Sequence, residues 1–100
     1  MTYVVEEVQG LKIDSITTNY VSPQALGKTI KVTASATGAK DLQYRFWVHD
    51  ILGNWTLIQD FSSKNYVNWK AKKTGNYAIW VDVKDSNNNY EGDFISYKIK

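Results

Sequence analysis

Over residues 29–37 polar and small apolar residues alternate without a break. Ile30, Val32, Ala34 and Ala36 fall on one side, and Thr29, Lys31, Thr33, Ser35 and Thr37 on the other. A period of two marks a half-buried strand, because successive Cβ atoms of an extended chain point to opposite faces. The pattern recurs in Leu42, Tyr44, Phe46 and Val48, opposed by Gln43, Arg45, Trp47 and His49. It recurs again in Tyr77, Ile79, Val81 and Val83, opposed by Ala78, Trp80, Asp82 and Lys84. Shorter runs at 11–18, 55–59, 66–70 and 94–99 are rich in β-branched and aromatic residues and read as further strands. No window sustains a helical stripe, so the chain is constrained to an all-β fold.

Turn residues punctuate these runs at regular spacing: Ser22-Pro23, Thr37-Gly38, Leu52-Gly53-Asn54, Thr74-Gly75-Asn76 and the stretch from Asp85 to Asn89. About seven short strands with a turn every 8 to 12 residues predict an antiparallel β-sandwich, since parallel strands would need helical crossovers for which there is no sequence. A length of 100 residues matches one domain. Gly75-Asn76-Tyr77 ahead of Ile79 and Val81 has the layout of a tyrosine corner, in which the Tyr77 hydroxyl bonds back to nearby backbone. Val32, Phe46, Trp69, Ile79 and Val81 are expected in the core. Residues 1–10 fit this plan less well and are expected to be a linker or the tail of a preceding copy of the same domain, with a simple extra N-terminal strand as the alternative. They lack the basic and then apolar layout of a secretory leader, which leaves a cytoplasmic protein or one domain of a longer exported chain as the expectations.

Composition narrows the function. The chain has no cysteine and one histidine, which removes disulfides, thiol catalysis and thiolate metal sites and leaves little for acid–base chemistry near neutral pH. A net charge of +2 from twelve basic and ten acidic side chains, mixed along the chain, gives no field that argues for nucleic acid. No apolar run approaches the roughly 20 residues of a membrane-spanning helix. The expectation is a non-enzymatic domain with no cofactor, no metal, no nucleic acid partner and no membrane insertion.

The informative residues are those whose parity disagrees with their chemistry. Trp47 shares a face with Arg45 and His49, and Trp80 shares one with Asp82 and Lys84, so both indoles are expected to point away from the core. In a sandwich whose second sheet places the third and sixth strands side by side, the two indoles meet on its outer face. Exposed indoles flanked by charged groups suit stacking on a sugar ring or anchoring a partner protein. Trp47, Trp80, Arg45 and Asp82 are therefore the candidate ligand-binding residues. The structural alternative is a cross-strand ladder in which the Arg45 stem and the two rings cover one another. Other constellations point to ordinary turns. His49-Asp50 lacks a nucleophile context and a second histidine. Asp82, Asp85 and Asp93 lack the loop spacing of a calcium site and read as solvated turn residues.

Several of these runs carry a family resemblance: Thr17-Thr18-Asn19, Ser22-Pro23-Gln24, Leu42 to Trp47, Asn54-Trp55, Thr74-Gly75-Asn76-Tyr77 and Val81 to Asp85. Together they resemble the triple-tyrosine (Y_Y_Y) repeat domain of Gram-positive bacterial cell-surface proteins, over about residues 11–100. The resemblance implies an immunoglobulin-like or fibronectin-like sandwich, in tandem repeats beside N-acetylmuramoyl-L-alanine amidases and other peptidoglycan hydrolases. It makes Tyr44, Trp55 and Tyr77 the signature aromatic positions, with Trp in place of Tyr at 55, and Gly75 part of the signature turn. It further implies an extracellular or cell-wall location and a role as spacer or cell-wall glycan-associating module, with neighbouring repeats or glycan as partners. Related modules occur in the sensor portions of two-component regulators. This makes an extracellular sensor or protein-interaction domain of a signalling protein the alternative, although the Gly-x-Trp-Ser ending of those modules is absent after Asp85.

Overall fold

A computed structural model of the chain describes residues 10–100. The expectation for residues 1–10 concerns, apart from Gly10, residues outside that range. The described chain forms seven strands: β1 (Lys12–Thr18), β2 (Ile30–Thr37), β3 (Gln43–Asp50), β4 (Trp55–Ser62), β5 (Tyr66–Trp69), β6 (Gly75–Lys84) and β7 (Tyr90–Ile99). They assemble as a three-stranded sheet, β1-β2-β5, and a four-stranded sheet, β4-β3-β6-β7, with every pairing between strands antiparallel. This is the all-β sandwich that the alternation predicts. The last strand starts four residues earlier than the run at 94–99, and β4 extends three residues beyond 59.

The inward sets meet between the sheets. Ile30, Val32 and Ala34 of β2 and Val67 and Trp69 of β5 face Tyr44, Phe46 and Val48 of β3, Ile79, Val81 and Val83 of β6, and Tyr97 and Ile99 of β7, all buried. Burial of such side chains is the main force closing a sandwich, at about 1.5–3 kcal/mol each. Trp69 packs within this core edge-on to Tyr77 at 5.0 Å and to Tyr97 at 6.0 Å between ring centroids. Burial raises the pKa of the Tyr44 and Tyr97 phenols. The Tyr97 hydroxyl donates to the Tyr20 carbonyl at 2.7 Å, and the Tyr77 hydroxyl donates to the Lys73 carbonyl at 2.6 Å, four residues upstream. The second bond has the form of a tyrosine corner.

Two hairpin turns of one design set the register of the four-stranded sheet. After β3, Asp50 Oδ1 accepts the backbone N–H groups of Leu52 and Asn54, both at 2.9 Å, while Gly53 takes the left-handed conformation at φ +88°. After β6, Asp85 Oδ1 accepts the N–H groups of Asn87 and Asn89 at 2.8 and 2.9 Å, and Asn88 sits at φ +64°. In both turns the closing Asn also donates its side-chain amide to the other carboxylate oxygen. Hydrogen bonds to the charged form lower both pKa values. The largest contribution comes from the Asn54 backbone N–H at Asp50 and from the Asn89 side-chain amide at Asp85, with desolvation opposing in each. The expectation of a solvated Asp85 is corrected here. The residue is only 6% exposed, because it ends the inward row Ile79, Val81, Val83 and its loop folds over it.

Candidate functional site

The outer face of the four-stranded sheet carries the residues whose parity and chemistry disagree. Across β3, β6 and β7 its rows read Arg45, Asp82, Gly92; then Trp47, Trp80, Phe94; then His49, Ala78, Ser96. On the other side β4 adds Leu57 opposite Trp47 and Trp55 opposite His49. All four candidate residues thus lie on one face, in adjacent rows.

Asp82 organises the charged row. Its Oδ2 accepts Arg45 Nε at 3.0 Å, Arg45 Nη2 at 2.8 Å and the Trp47 indole N–H at 3.1 Å. The carboxylate therefore holds both the guanidinium and one indole, and its charge is paired within the face. The Arg45 guanidinium lies 4.4 Å from the Phe61 ring centroid, where the Lys84 ammonium also sits at 4.3 Å, and 5.4 Å from that of Trp47.

The aromatic row differs from the ladder expected on structural grounds. Trp47 and Trp80 stand opposite each other in register, but Trp55 joins them. Its ring lies 6.2 Å from that of Trp47, nearly perpendicular at 87°, and 5.6 Å from that of Trp80. Trp80 stacks on Phe94 at 4.5 Å and 24°, and His49 tilts against Trp55 at 4.4 Å. The result is a ridge, Trp55–Trp80–Phe94, that runs across the strands. Trp55 and Phe94 are about half exposed, at 51% and 47%, whereas Trp47 and Trp80 are partly covered. Trp47, Trp55, Trp80 and Asp82 enclose an open cleft of about 430 Å³. Such a cleft offers a flat apolar surface beside one fixed polar group, which is how a site grips a ligand with an apolar side and a polar rim.

The remaining sequence candidates do not gather into a site. Tyr44 is buried in the core, and Gly75 opens β6 opposite Ile99. His49 packs on Trp55 while both carboxylate oxygens of Asp50 hold the β3–β4 turn. Asp82, Asp85 and Asp93 diverge: Asp85 closes its turn and Asp93 accepts the N–H of its neighbour Phe94 at 2.8 Å. Among the described residues no three potential metal-ligating groups cluster.

Trp55 and Phe94 belong to this face without having been singled out for it. Their signal was in the turns. Once Asp50 closes on Asn54, His49 must face Trp55, and once Asp85 closes on Asn89, counting back from Lys84 and Tyr90 puts Phe94 opposite Trp80. Phe61 carried no such signal, because the β3–β4 register slips between Tyr44 and Trp47.

The four-stranded sheet also falls within the part of the sequence that identifies the chain. Residues 35–100 match the model of the Y_Y_Y domain, and the chain belongs to that family. Among solved structures it is similar to a lipoprotein from Bacteroides thetaiotaomicron determined in solution, at 14% identity and a TM-score of 0.54. That match covers 96% of this chain and 85% of the other, and at this identity it is a likeness of fold. No curated protein matches the sequence significantly.

Proposed function

We propose that this chain is a non-catalytic, surface-associated module of a longer exported protein, and that the outer face of its four-stranded sheet associates with cell-wall glycan. The parent protein implied by the family resemblance is a peptidoglycan hydrolase, located outside the cell or in its wall. The observation that carries this reading is the open cleft of Trp47, Trp55 and Trp80 around Asp82. Indole faces supply apolar contact for the C–H side of a sugar ring, and the carboxylate and its partners supply polar contacts at the rim. A shallow single platform holds its ligand weakly, so retention at a polymer would come from several modules acting together.

The test is a titration with purified peptidoglycan fragments, followed by tryptophan fluorescence and amide chemical shifts. Saturable changes confined to the outer face of β3, β4, β6 and β7, abolished by Trp55→Ala, support glycan association. An unchanged spectrum at millimolar fragment overturns it. A spacer role is the second reading. It is favoured by the Trp80–Phe94 stack and by the indole N–H of Trp47 being spent on Asp82, since both are contacts a purely structural sheet face would make. In that case no fragment binds, and Trp80→Ala costs as much stability as a core truncation.

A further inference from the structure

Resting on the glycan reading, we infer that the ligand is a linear, uncharged oligosaccharide several rings long, lying along the strands and using a second hollow beyond the tryptophan ridge. This hollow, of about 520 Å³, lies on the same outer face and is lined by His49, Asn76, Ala78, Ser96 and Lys98, with Ser22 at its border. Its floor drops beside the ridge because Ala78 and Ser96, directly opposed on β6 and β7, are the small residues of the row next to Trp80 and Phe94. His49 joins the two depressions, lining one and touching Trp55 of the other at 4.4 Å.

The other flank of the ridge is also cut low. Gly92 stands opposite Asp82, and a Cβ there would come within 3.3 Å of Asp82 Oδ1. Oδ2 of that carboxylate accepts three donors, whereas Oδ1 receives none among the described residues. The open oxygen can accept a hydrogen bond from a ligand, and a hydroxyl supplies the donor. At the far end Asn76, Ser96 and Lys98 offer donors to hydroxyl and ring oxygens. From Asp82 to Asn76 is six residues of strand, roughly 20 Å, which accommodates several pyranose rings in line. One ring rests on the ridge and its neighbours drop into the hollows.

The chemistry excludes other occupants. An aliphatic chain would cover Asp82 Oδ1 without satisfying it. A polyanion would find the Arg45 charge already paired, and against Lys98, the cation of the hollow, stand the Asp50 and Asp82 carboxylates. An extended peptide reads a sheet through an unpaired edge, whereas these hollows lie on a face whose backbone groups are already paired in the sheet.

The probe is a series of β-1,4-linked N-acetylglucosamine oligomers of one to six units, titrated calorimetrically into the full chain, wild type and Ser96→Tyr. Affinity is expected to rise at least about tenfold from dimer to tetramer and then level. Ser96→Tyr, an exposed substitution that suits a strand, should return the tetramer to dimer affinity and leave the dimer unchanged. Asn76→Ala should weaken the tetramer alone. Equal affinities for dimer and tetramer, or a tetramer indifferent to Ser96→Tyr, overturn the inference while glycan association stands. Binding of peptidoglycan fragments but of no oligomer has the same consequence. Failure of both ligands to bind removes the inference and the glycan reading together.

Discussion

Along β6, Ile79, Val81 and Val83 point to one face and Ala78, Trp80 and Asp82 to the other. The first set is fully buried, and the second lies on the open side of the same sheet. Both faces of the sheet carry aromatic rings, yet they are packed differently. On the inner face a second sheet covers Ile79, Val81 and Val83 completely, so shape decides which residue fits there. On the outer face no sheet covers the rings, and they cover one another: Trp55 bridges Trp47 and Trp80, and Phe94 backs Trp80. The pairing of Asp82 with Arg45 and the Trp47 N–H gives that face a polar fixture that the core cannot contain. Large aromatic area held rigid and left half exposed is suited to contact with something else.

This contrast yields a graded set of expectations. The largest effect belongs to the core. Val81→Asp forces a charge into a site without partners and should unfold the domain, costing more than about 4 kcal/mol. Circular dichroism melts check this, and a folded variant would break the distinction between the faces.

Acid should act through the end of the inner row. The Asp85 and Asp50 carboxyls have lowered folded-state pKa values, so the folded chain binds fewer protons than the unfolded one. Their stabilisation is fully present above the ordinary aspartate pKa of about 3.9 and is lost as pH falls through the folded values. Urea midpoints measured from pH 7 downward should hold steady and then decline below about pH 4. Asp85→Ala should lower the neutral plateau and flatten that decline, and a plateau that stays put would show that the turn is closed by other contacts.

On the outer face the effects shrink. Trp80→Ala removes a stacked partner from both Trp55 and Phe94 and is expected to cost about 1–2 kcal/mol by denaturant titration. A cost equal to that of a core truncation, about 3–5 kcal/mol, would make this face a second core and weaken its reading as a platform. Asp82→Asn leaves the shape but discharges the partner of Arg45. The pair is about a third exposed on each side, so no more than about 1 kcal/mol is expected. Trp55→Ala should cost no more than about 1 kcal/mol, because half of the ring is already in water and Trp47 and Trp80 keep their contacts to Asp82 and Phe94. If it abolishes glycan-dependent quenching while stability holds, the two faces are separated in function as well as in packing.

Much of this architecture is legible without coordinates. Alternation over 42–48 and 77–83 assigns each side chain to a face whatever the partner strand, since a strand has only two faces. That is why Phe46, Val81 and the outward Trp47 and Trp80 could be assigned from the sequence. The Asp-to-Asn turns also place Trp55 and Phe94, since each fixes which residues its two strands set opposite one another. Tertiary structure alone decided how those side chains meet. The β3–β4 register slips twice, and Phe61 lies nearer the Arg45 guanidinium than Trp47 does, at 4.4 against 5.4 Å, while no periodicity announces a bulge. Asp85 is buried because its loop folds back on it, although a stretch of Asp, Ser and Asn looks solvated by composition. Whether neighbouring indoles stack, tilt or leave a cleft depends on fractions of an ångström in strand spacing and twist. The linear sequence does not carry those distances, because the sheet sets them as a whole.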